Sequence, residues 1–370
     1  MSPENFIQPS KPLVILCAGG TGGHLFPAVS VAQKLKAQGC DVHLMTDARG
    51  TSYVPNSLFE SVFVLPTAHL SRNLWRTGKT LQEQGMACLK IFRILKRLQP
   101  QVLWGFGGKM TLAPLLLARM MCIPIGLYEA DSIIGRANRF LLPFAKIIAT
   151  GVKRTWGLFP SKKVKWVGIP VRQEITHVPY TPPAPKEDIR LLVIGGSQGA
   201  KILSTNLPNI LKSLPEPLQK RLFLHQQCRS DLLETTQETY KNTNIRCRIE
   251  PFIEDMNTAL AQAHFVIGRA GASTLGELME MGRPALFIPY PHAKQNHQMA
   301  NCQSIVKKGG GWCVSESTLI SAPHTVADLL TRILEDPETL TQAADHIRNF
   351  HGKNASERIC HLALSLLSQK

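Results

Sequence analysis

Leu13-Val-Ile-Leu-Cys-Ala-Gly-Gly-Thr-Gly-Gly-His24 decides the fold: an apolar run, a glycine turn, then a helical pattern through Lys36. So short an apolar run, leading directly into glycines and a helix, reads as a parallel strand buried on both faces. Runs of the same kind recur at Val42–Met45, Val62–Leu65, Val102–Gly105, Ile123–Tyr128 and Ile147–Thr150. The pattern then restarts. Arg190-Leu-Leu-Val-Ile-Gly-Gly-Ser-Gln-Gly199 repeats strand, glycine turn and helix 176 positions later, counted from Gly19 to Gly195. This duplication predicts an α/β chain of two doubly wound Rossmann-like domains facing across a cleft lined by strand C-terminal ends. Residues 1–175 are expected to form the first domain and 189–352 the second. The Pro-rich stretch around Pro179–Pro185 marks 176–188 as linker chemistry. A helix over Asn354–Leu367, within 353–370, is expected to pack back on the first domain.

Composition narrows the function. At 370 residues, 44% hydrophobic and 18% charged, the chain is neither disordered nor fibrous. Nine scattered cysteines with no C-x-x-C argue against a zinc ribbon or disulfide framework and for reduced thiols in a cytosolic compartment. Met1–Pro12 is polar and lacks the apolar core of a secretory signal. The greasiest stretches, Thr111–Tyr128 and Phe140–Val152, carry Arg119, Lys146 and prolines, so no membrane span is expected. Basic charge is uneven: residues 1–172 hold 22 Lys+Arg against 7 Asp+Glu, and residues 173–370 hold 20 against 19. That asymmetry points to an anionic partner of the first half. No nucleic-acid module is present, so nucleic acid is not the expected partner.

The glycine turns carry the chemistry. Gly19-Gly-Thr-Gly-Gly-His24 fits neither a dinucleotide fingerprint, since Leu25 stands where the third glycine belongs, nor a Walker loop. It remains a turn where backbone meets a polar ligand at a helix N-terminus. His24 at its end is a candidate general base, kept neutral by the positive helix end. Gly105-Phe-Gly-Gly108 and Tyr128-Glu-Ala-Asp131 through Asn138 are expected on the same rim, which brings Glu129 and Asp131 into the candidate set. In the second half, Ser197 lies in an anion-cradling turn. Phe265 through Glu277 reads as strand, small-residue turn and helix, with a carboxylate suited to a ribose. His297-Gln-Met-Ala-Asn301 offers polar groups to a sugar.

The ordered set G-G-T-G-G-H, G-x-G-G, G-x-P-V-R, G-G-S-Q-G-A, R-A-G-A-S-T-L-x-E and H-Q-x-x-N, from Gly19 to Asn301, resembles the MurG family. These glycosyltransferases add N-acetylglucosamine to a lipid-linked muropeptide in bacterial cell-wall synthesis. The resemblance implies a GT-B fold and inverting transfer from UDP-N-acetylglucosamine to a diphosphoundecaprenol-linked acceptor at the cytoplasmic face of the plasma membrane. It implies no cofactor and no metal, consistent with the lack of a D-x-D motif. Carried over by motif, the donor set is Thr21, Gly22, Asn138, Arg172, Ser197, Gln198, Phe252, Ile253, Ala272, Ser273, Thr274, Glu277, His297 and Gln298. Gly20, Gly23, Gly107, Gly108 and Lys109 fall to the acceptor. The catalytic candidates are His24, Glu129 and Asp131.

Two departures bear on catalysis. Tyr128-Glu-Ala-Asp131 stands where the family usually has His-Glu-Gln-Asn, and Lys109 stands where it has Tyr. His24 is therefore the preferred base, with Asp131 the alternative. A UDP-N-acetylglucosamine 2-epimerase and a diacylglycerol glycosyltransferase are the rival activities on this fold. A non-enzymatic basic membrane protein would explain the charge but not the glycine turns. The implied partners are the donor, the lipid-linked acceptor, an anionic membrane surface and other cell-wall enzymes. For the membrane, Lys90, Arg93, Lys96 and Arg97 share one arc of a helix over Met86–Leu98, and Arg72, Arg76 and Lys79 lie just upstream of it. Its apolar side is read as Cys88, Ile91, Phe92, Ile94, Leu95 and Leu98.

Overall fold

The structure, a computed structural model, describes residues 11–55, 57–66, 74–196, 199–350 and 352–367, without the side chains of Tyr53 and 74–82. Two compact units emerge. Unit 1 comprises Met1–Ala130, Ile134–Pro170 and Lys353–Lys370; unit 2 comprises Asp131–Ile133 and Val171–Gly352.

Unit 1 is built on seven strands: β1 (Leu13–Cys17), β2 (Asp41–Thr46), β3 (Ser61–Val64), β4 (Val102–Gly105), β5 (Ile125–Glu129), β6 (Ile147–Thr150) and β7 (Val164–Trp166). All pair in parallel, in the order β3-β2-β1-β4-β5-β6-β7. The helices α1 (Gly22–Ala37), α2 (Leu74–Leu98), α3 (Leu112–Met120) and α4 (Arg136–Leu141) lie between them. Alternate residues of β1 serve opposite faces: Val14 and Leu16 join one apolar core, Ile15 and Cys17 the other. That two-sided burial is why the strand reads as an unbroken apolar run. The edge strand β7, half-buried and carrying Lys165, lacks such a run and is missed from sequence.

Unit 2 repeats the plan with six parallel strands. They are β8 (Ile189–Ile194), β9 (Leu222–Gln227), β10 (Arg246–Glu250), β11 (Phe265–Gly268), β12 (Ala285–Phe287) and β13 (Trp312–Cys313), ordered β10-β9-β8-β11-β12-β13. Its helices are α5 (Lys201–Thr205), α6 (Leu207–Lys212), α7 (Glu216–Arg221), α8 (Leu233–Lys241), α9 (Met256–Gln262), α10 (Ala272–Met281), α11 (His297–Val306), α12 (Glu316–Ser321), α13 (Pro323–Leu334) and α14 (Pro337–Arg348). Residues 176–188, read as linker from their prolines, group with this unit. Tyr180 donates its hydroxyl to the His264 carbonyl at 3.0 Å, and Arg221 donates to the carbonyls of Glu187 and Ala184. Proline content gave no warning of those tertiary contacts.

In each sheet the strand order reverses at one place, between β1 and β4 in unit 1 and between β8 and β11 in unit 2. At such a reversal the loops leaving the two strands diverge to opposite faces and leave a crevice, the usual ligand position in open α/β sheets.

The last helix, α15 (Ala355–Ser365), returns to unit 1. Ile359, Cys360, Ala363 and Leu366 are buried in the core that holds Leu25, Ala28, Val31 and Leu35 of α1. A salt bridge, Lys34 Nζ to Glu357 Oε1 at 2.8 Å, closes the edge of this contact. With both side chains more than a third exposed, that pair contributes little beside the apolar burial. Ile359→Ala is expected to destabilise unit 1 by roughly 2–5 kcal/mol, the range for deleting a fully buried aliphatic chain. Lys34→Ala should cost below about 1 kcal/mol. Urea-unfolding midpoints of the two variants check the ranking, and equal costs would contradict it.

Candidate functional site

In unit 1, the site grows from the crossing of two glycine turns at the sheet reversal. Gly19, after β1, donates its N–H to the Gly107 carbonyl, after β4, at 3.1 Å. Gly107 and Gly108 both have φ near +90°, a backbone region that side-chain-bearing residues rarely adopt. His24, in the first turn of α1, lies against this crossing: a Cβ on Gly107 would sit 3.2 Å from its Nε2, and one on Gly19 would sit 3.1 Å from its Nδ1. The imidazole is oriented by Thr21, the N-cap residue, whose Oγ1 is 2.9 Å from Nδ1. With Nδ1–H donating to that hydroxyl, Nε2 becomes the accepting nitrogen.

Beside it, Asn138 Nδ2 donates to the Tyr128 carbonyl at 2.9 Å and to Glu129 Oε2 at 3.0 Å. The same oxygen accepts from the Gly135 N–H at 2.8 Å. Glu129 is buried, and these bonds give its carboxylate a part in shaping the β5–α4 loop. Asn138 Oδ1 is buried with no hydrogen-bond partner among the described residues. Lys109 is exposed just beyond the glycine turn, and a Cβ on Gly23 would meet nothing within 4 Å.

A residue that motif reading missed is Asp47, buried after β2. Its carboxylate accepts from the Gly20 N–H at 3.3 Å, from the Arg49 N–H at 3.0 Å and from the Arg49 guanidinium at 2.9 Å. Burial pushes this carboxyl up, but the Arg49 guanidinium and the N–H donors outweigh it and hold it below the usual range. Its carboxylate oxygen stands where a Gly20 Cβ would be, so the glycine is needed for the ion pair as well as for the turn. The only signal in the sequence is an acid ending a strand, Thr46-Asp47.

Unit 2 carries the other half of the candidate set. Gly195 follows β8, its N–H held by Gln227 Oε1 at 3.1 Å, and a Cβ there would collide with the Ala200 nitrogen at 2.4 Å. Ser197 and Gln198 lie outside the described residues. After β11, Arg269-Ala-Gly271 leads into α10. Ser273, in the first turn, has a buried Oγ with no partner among the described residues. Glu277, one turn on, is 7% exposed and receives Arg172, with Nε and Nη2 at 3.0 and 2.9 Å from the same carboxylate oxygen. Arg172 closes the G-x-P-V-R motif, 105 residues away. Burial raises the Glu277 carboxyl, and the Arg172 charge draws it back without cancelling the rise.

In the same unit, Gln298 Oε1 accepts from the Tyr290 N–H at 2.9 Å, and His297 Nδ1 lies 2.8 Å from the Lys294 carbonyl. Asn301 gathers three partners: its Nδ2 donates to Asp131 Oδ1 at 2.8 Å and to the Ala270 carbonyl, and its Oδ1 accepts from the Ser132 N–H. Phe252 is 59% exposed, whereas Ile253 is buried. Arg269, also missed, is buried; it donates to the Ile288 carbonyl, pairs with Glu316 and lies over the Tyr290 ring. It therefore braces the turn before α10.

Comparison with known proteins fits this geometry. The N-terminal domain of glycosyltransferase family 28 matches residues 14–150, and the C-terminal domain of that family matches 190–359. A Rhizobium johnstonii protein is 40% identical over 342 residues, covering 90% of each chain. It is named UDP-N-acetylglucosamine–N-acetylmuramyl-(pentapeptide) pyrophosphoryl-undecaprenol N-acetylglucosamine transferase. The crystal structure of Acinetobacter baumannii MurG superposes with a TM-score of 0.78 at 28% identity, over 96% of this chain and 99% of that one. A Neisseria meningitidis UDP-N-acetylglucosamine 2-epimerase bound to UDP-N-acetylglucosamine reaches a TM-score of 0.65 at 13% identity, covering 95% of this chain and 100% of its own, which speaks to fold alone.

Because the folded Glu277 carboxyl titrates above its ordinary 4.5, it favours the native state most below that pH and loses this contribution as pH rises through the folded value. Arg172→Ala removes the charge that limits the rise. Its stability should fall more steeply than wild type above pH 4.5, by about 3–5 kcal/mol at neutrality. Adding Glu277→Gln should restore much of the loss. Denaturant midpoints across that pH range check both; parallel curves would refute the coupling.

Proposed function

This chain belongs to glycosyltransferase family 28, and we propose that it transfers N-acetylglucosamine from UDP-N-acetylglucosamine to the N-acetylmuramyl-pentapeptide of a diphosphoundecaprenol-linked acceptor. The observation that carries this reading is Glu277. It is a buried carboxylate one turn into the helix that follows β11, at the sheet reversal, and it is already charge-paired by Arg172. A carboxylate so held accepts the hydroxyls of a ribose in charge-assisted hydrogen bonds. The free N–H groups at the start of α10 and the unpartnered Ser273 Oγ suit the polar remainder of a nucleotide-sugar.

His24 acts as the base. Its Nε2 takes the proton of the attacking acceptor hydroxyl as that oxygen displaces the diphosphate from the anomeric carbon, and a single displacement inverts the configuration there. Thr21 sets the tautomer, and Asn138 Oδ1 provides a second acceptor beside it. Asp131 is the alternative base, although Asn301 already donates to it. Leaving-group charge falls to the helix N-terminus and the glycine-turn amides, so the reaction proceeds without a metal.

The split between the two halves tests this reading. Glu277→Ala should weaken UDP binding about tenfold or more in titration calorimetry, the loss of hydrogen bonds to a charged group. His24→Ala should leave that affinity intact while transfer of radiolabelled N-acetylglucosamine to the lipid-linked acceptor falls by about 10²–10⁴. A near-normal His24→Ala rate would hand the base role to Asp131. Formation of UDP-N-acetylmannosamine without acceptor would favour the epimerase reading.

The acceptor is lipid-linked, and no helix among the described residues is long and apolar enough to cross a membrane. We therefore infer that the enzyme works peripherally, on the cytoplasmic face. In α2, Ile91, Ile94 and Leu95 are buried in the sheet core, but Phe92, read from periodicity as part of that apolar side, is 39% exposed. It joins Met86 and Leu89 on the outside, beside exposed Lys90 and Arg93. The core takes these three, with Leu98 packed against it, which leaves a mixed basic and apolar face outside. Arg72 lies outside the described residues, as do the side chains of Arg76 and Lys79. Each basic residue near an anionic surface contributes about 1 kcal/mol. Binding to anionic vesicles should therefore weaken with salt and on Lys90→Glu with Arg93→Glu, while UDP affinity is unchanged. Equal binding to neutral vesicles would refute the electrostatic anchor.

A further inference from the structure

Away from the catalytic candidates, α11 meets the edge strand β13 through sulfur. Cys302 Sγ lies 3.1 Å from Cys313 Sγ and donates to it, and Cys313 Sγ lies 3.9 Å from the Met299 sulfur. Cys302 is fully buried, whereas Cys313 is half-buried. Nothing in the proposed transfer reaction uses either thiol. Among the described residues no other two cysteines are joined by an Sγ–Sγ hydrogen bond.

We propose that Cys302 and Cys313 form a redox-active dithiol, closed to a disulfide by hydroperoxides and reopened by thiol reductants. Three features define the roles. The half-buried Cys313 is the sulfur that a small oxidant reaches. It accepts the Cys302 S–H, and that bond lowers its pKa despite burial, favouring the thiolate that attacks a peroxide. Cys302 is raised by donating that same bond and by its burial, and it stays protonated until called on. The sulfurs need approach by only about 1 Å to reach the roughly 2.05 Å of a disulfide.

The chemistry balances. Cys313 thiolate attacks one peroxide oxygen and the O–O bond breaks, giving Cys313 sulfenic acid and hydroxide, which takes up a proton as water. Cys302 sulfur then attacks the sulfenic sulfur. The S–O bond breaks, and the hydroxide leaves with the Cys302 proton as a second water. Two thiols and one hydroperoxide thus yield one disulfide. The bond fastens α11 to the sheet edge one residue after Asn301, whose side chain holds Asp131 and the Ala270 carbonyl.

Trypsin makes the test direct, because Lys307 and Lys308 separate the two cysteines. The full chain is treated with hydrogen peroxide, alkylated and digested. The expected product is a cross-link between peptides Gln295–Lys307 and Gly309–Arg332, about 2 Da lighter than the sum of the two and lost on thiol reduction. Cys302→Ser should strand Cys313 as a sulfenic acid trapped by dimedone, whereas Cys313→Ser should leave Cys302 alkylation unaffected by peroxide. Both substitutions keep size and hydrogen-bonding capacity, so the fold persists for comparison. Consumption of exposed Cys122 and Cys247 with the pair still reduced would overturn the proposal, as would Cys313 over-oxidation without cross-linking in the unsubstituted chain.

Discussion

Parallel pairing is the constraint on which the rest depends. A parallel sheet sends every strand out at the same edge, and right-handed crossovers bury both its faces under helices. Each unit must therefore bring its loops to one rim. Where the strand order reverses, between β1 and β4 or between β8 and β11, no crossover covers that rim. The candidate residues collect at these two openings: His24 over the Gly19–Gly107 crossing, and Glu277 on the helix that leaves β11. Glycine is required there for steric reasons. At Gly20 a side chain would displace the Asp47 carboxylate, and at Gly195 it would strike the next turn of backbone.

Burial then decides what each polar group does. Glu129 and Glu277 are both buried carboxylates of similar exposure, but their partners differ. Glu129 accepts from a neutral amide and a backbone N–H of its own loop, which ties it to local architecture. Glu277 faces a guanidinium brought from far along the chain, so its site carries compensated charge before any ligand arrives. A buried, half-compensated carboxylate is costly to the fold. Its place on the helix that follows β11, at the sheet reversal, is what supports the proposed donor role.

Strand positions and glycine turns were legible in the sequence because both are local. An apolar run short enough for a strand, ended by glycine and followed by a helical period, needs no knowledge of its neighbours. Hence β1 and β8, the order of the motifs, the two-domain plan and the family resemblance could be read directly. Tertiary structure decided matters of partnership. Arg172 meets Glu277, Asp47 meets Gly20, and Cys302 meets Cys313 across separations that no periodicity encodes. It also decided which apolar residues of α2 the core needs, leaving Phe92 outside, and it drew the Pro-rich 176–188 segment against unit 2. The physical reason is common to all of these. Hydrophobic period and turn chemistry act over a few residues, whereas ion pairs, sulfur contacts and exposed faces depend on strand register and helix packing, which exist only once the whole unit has condensed.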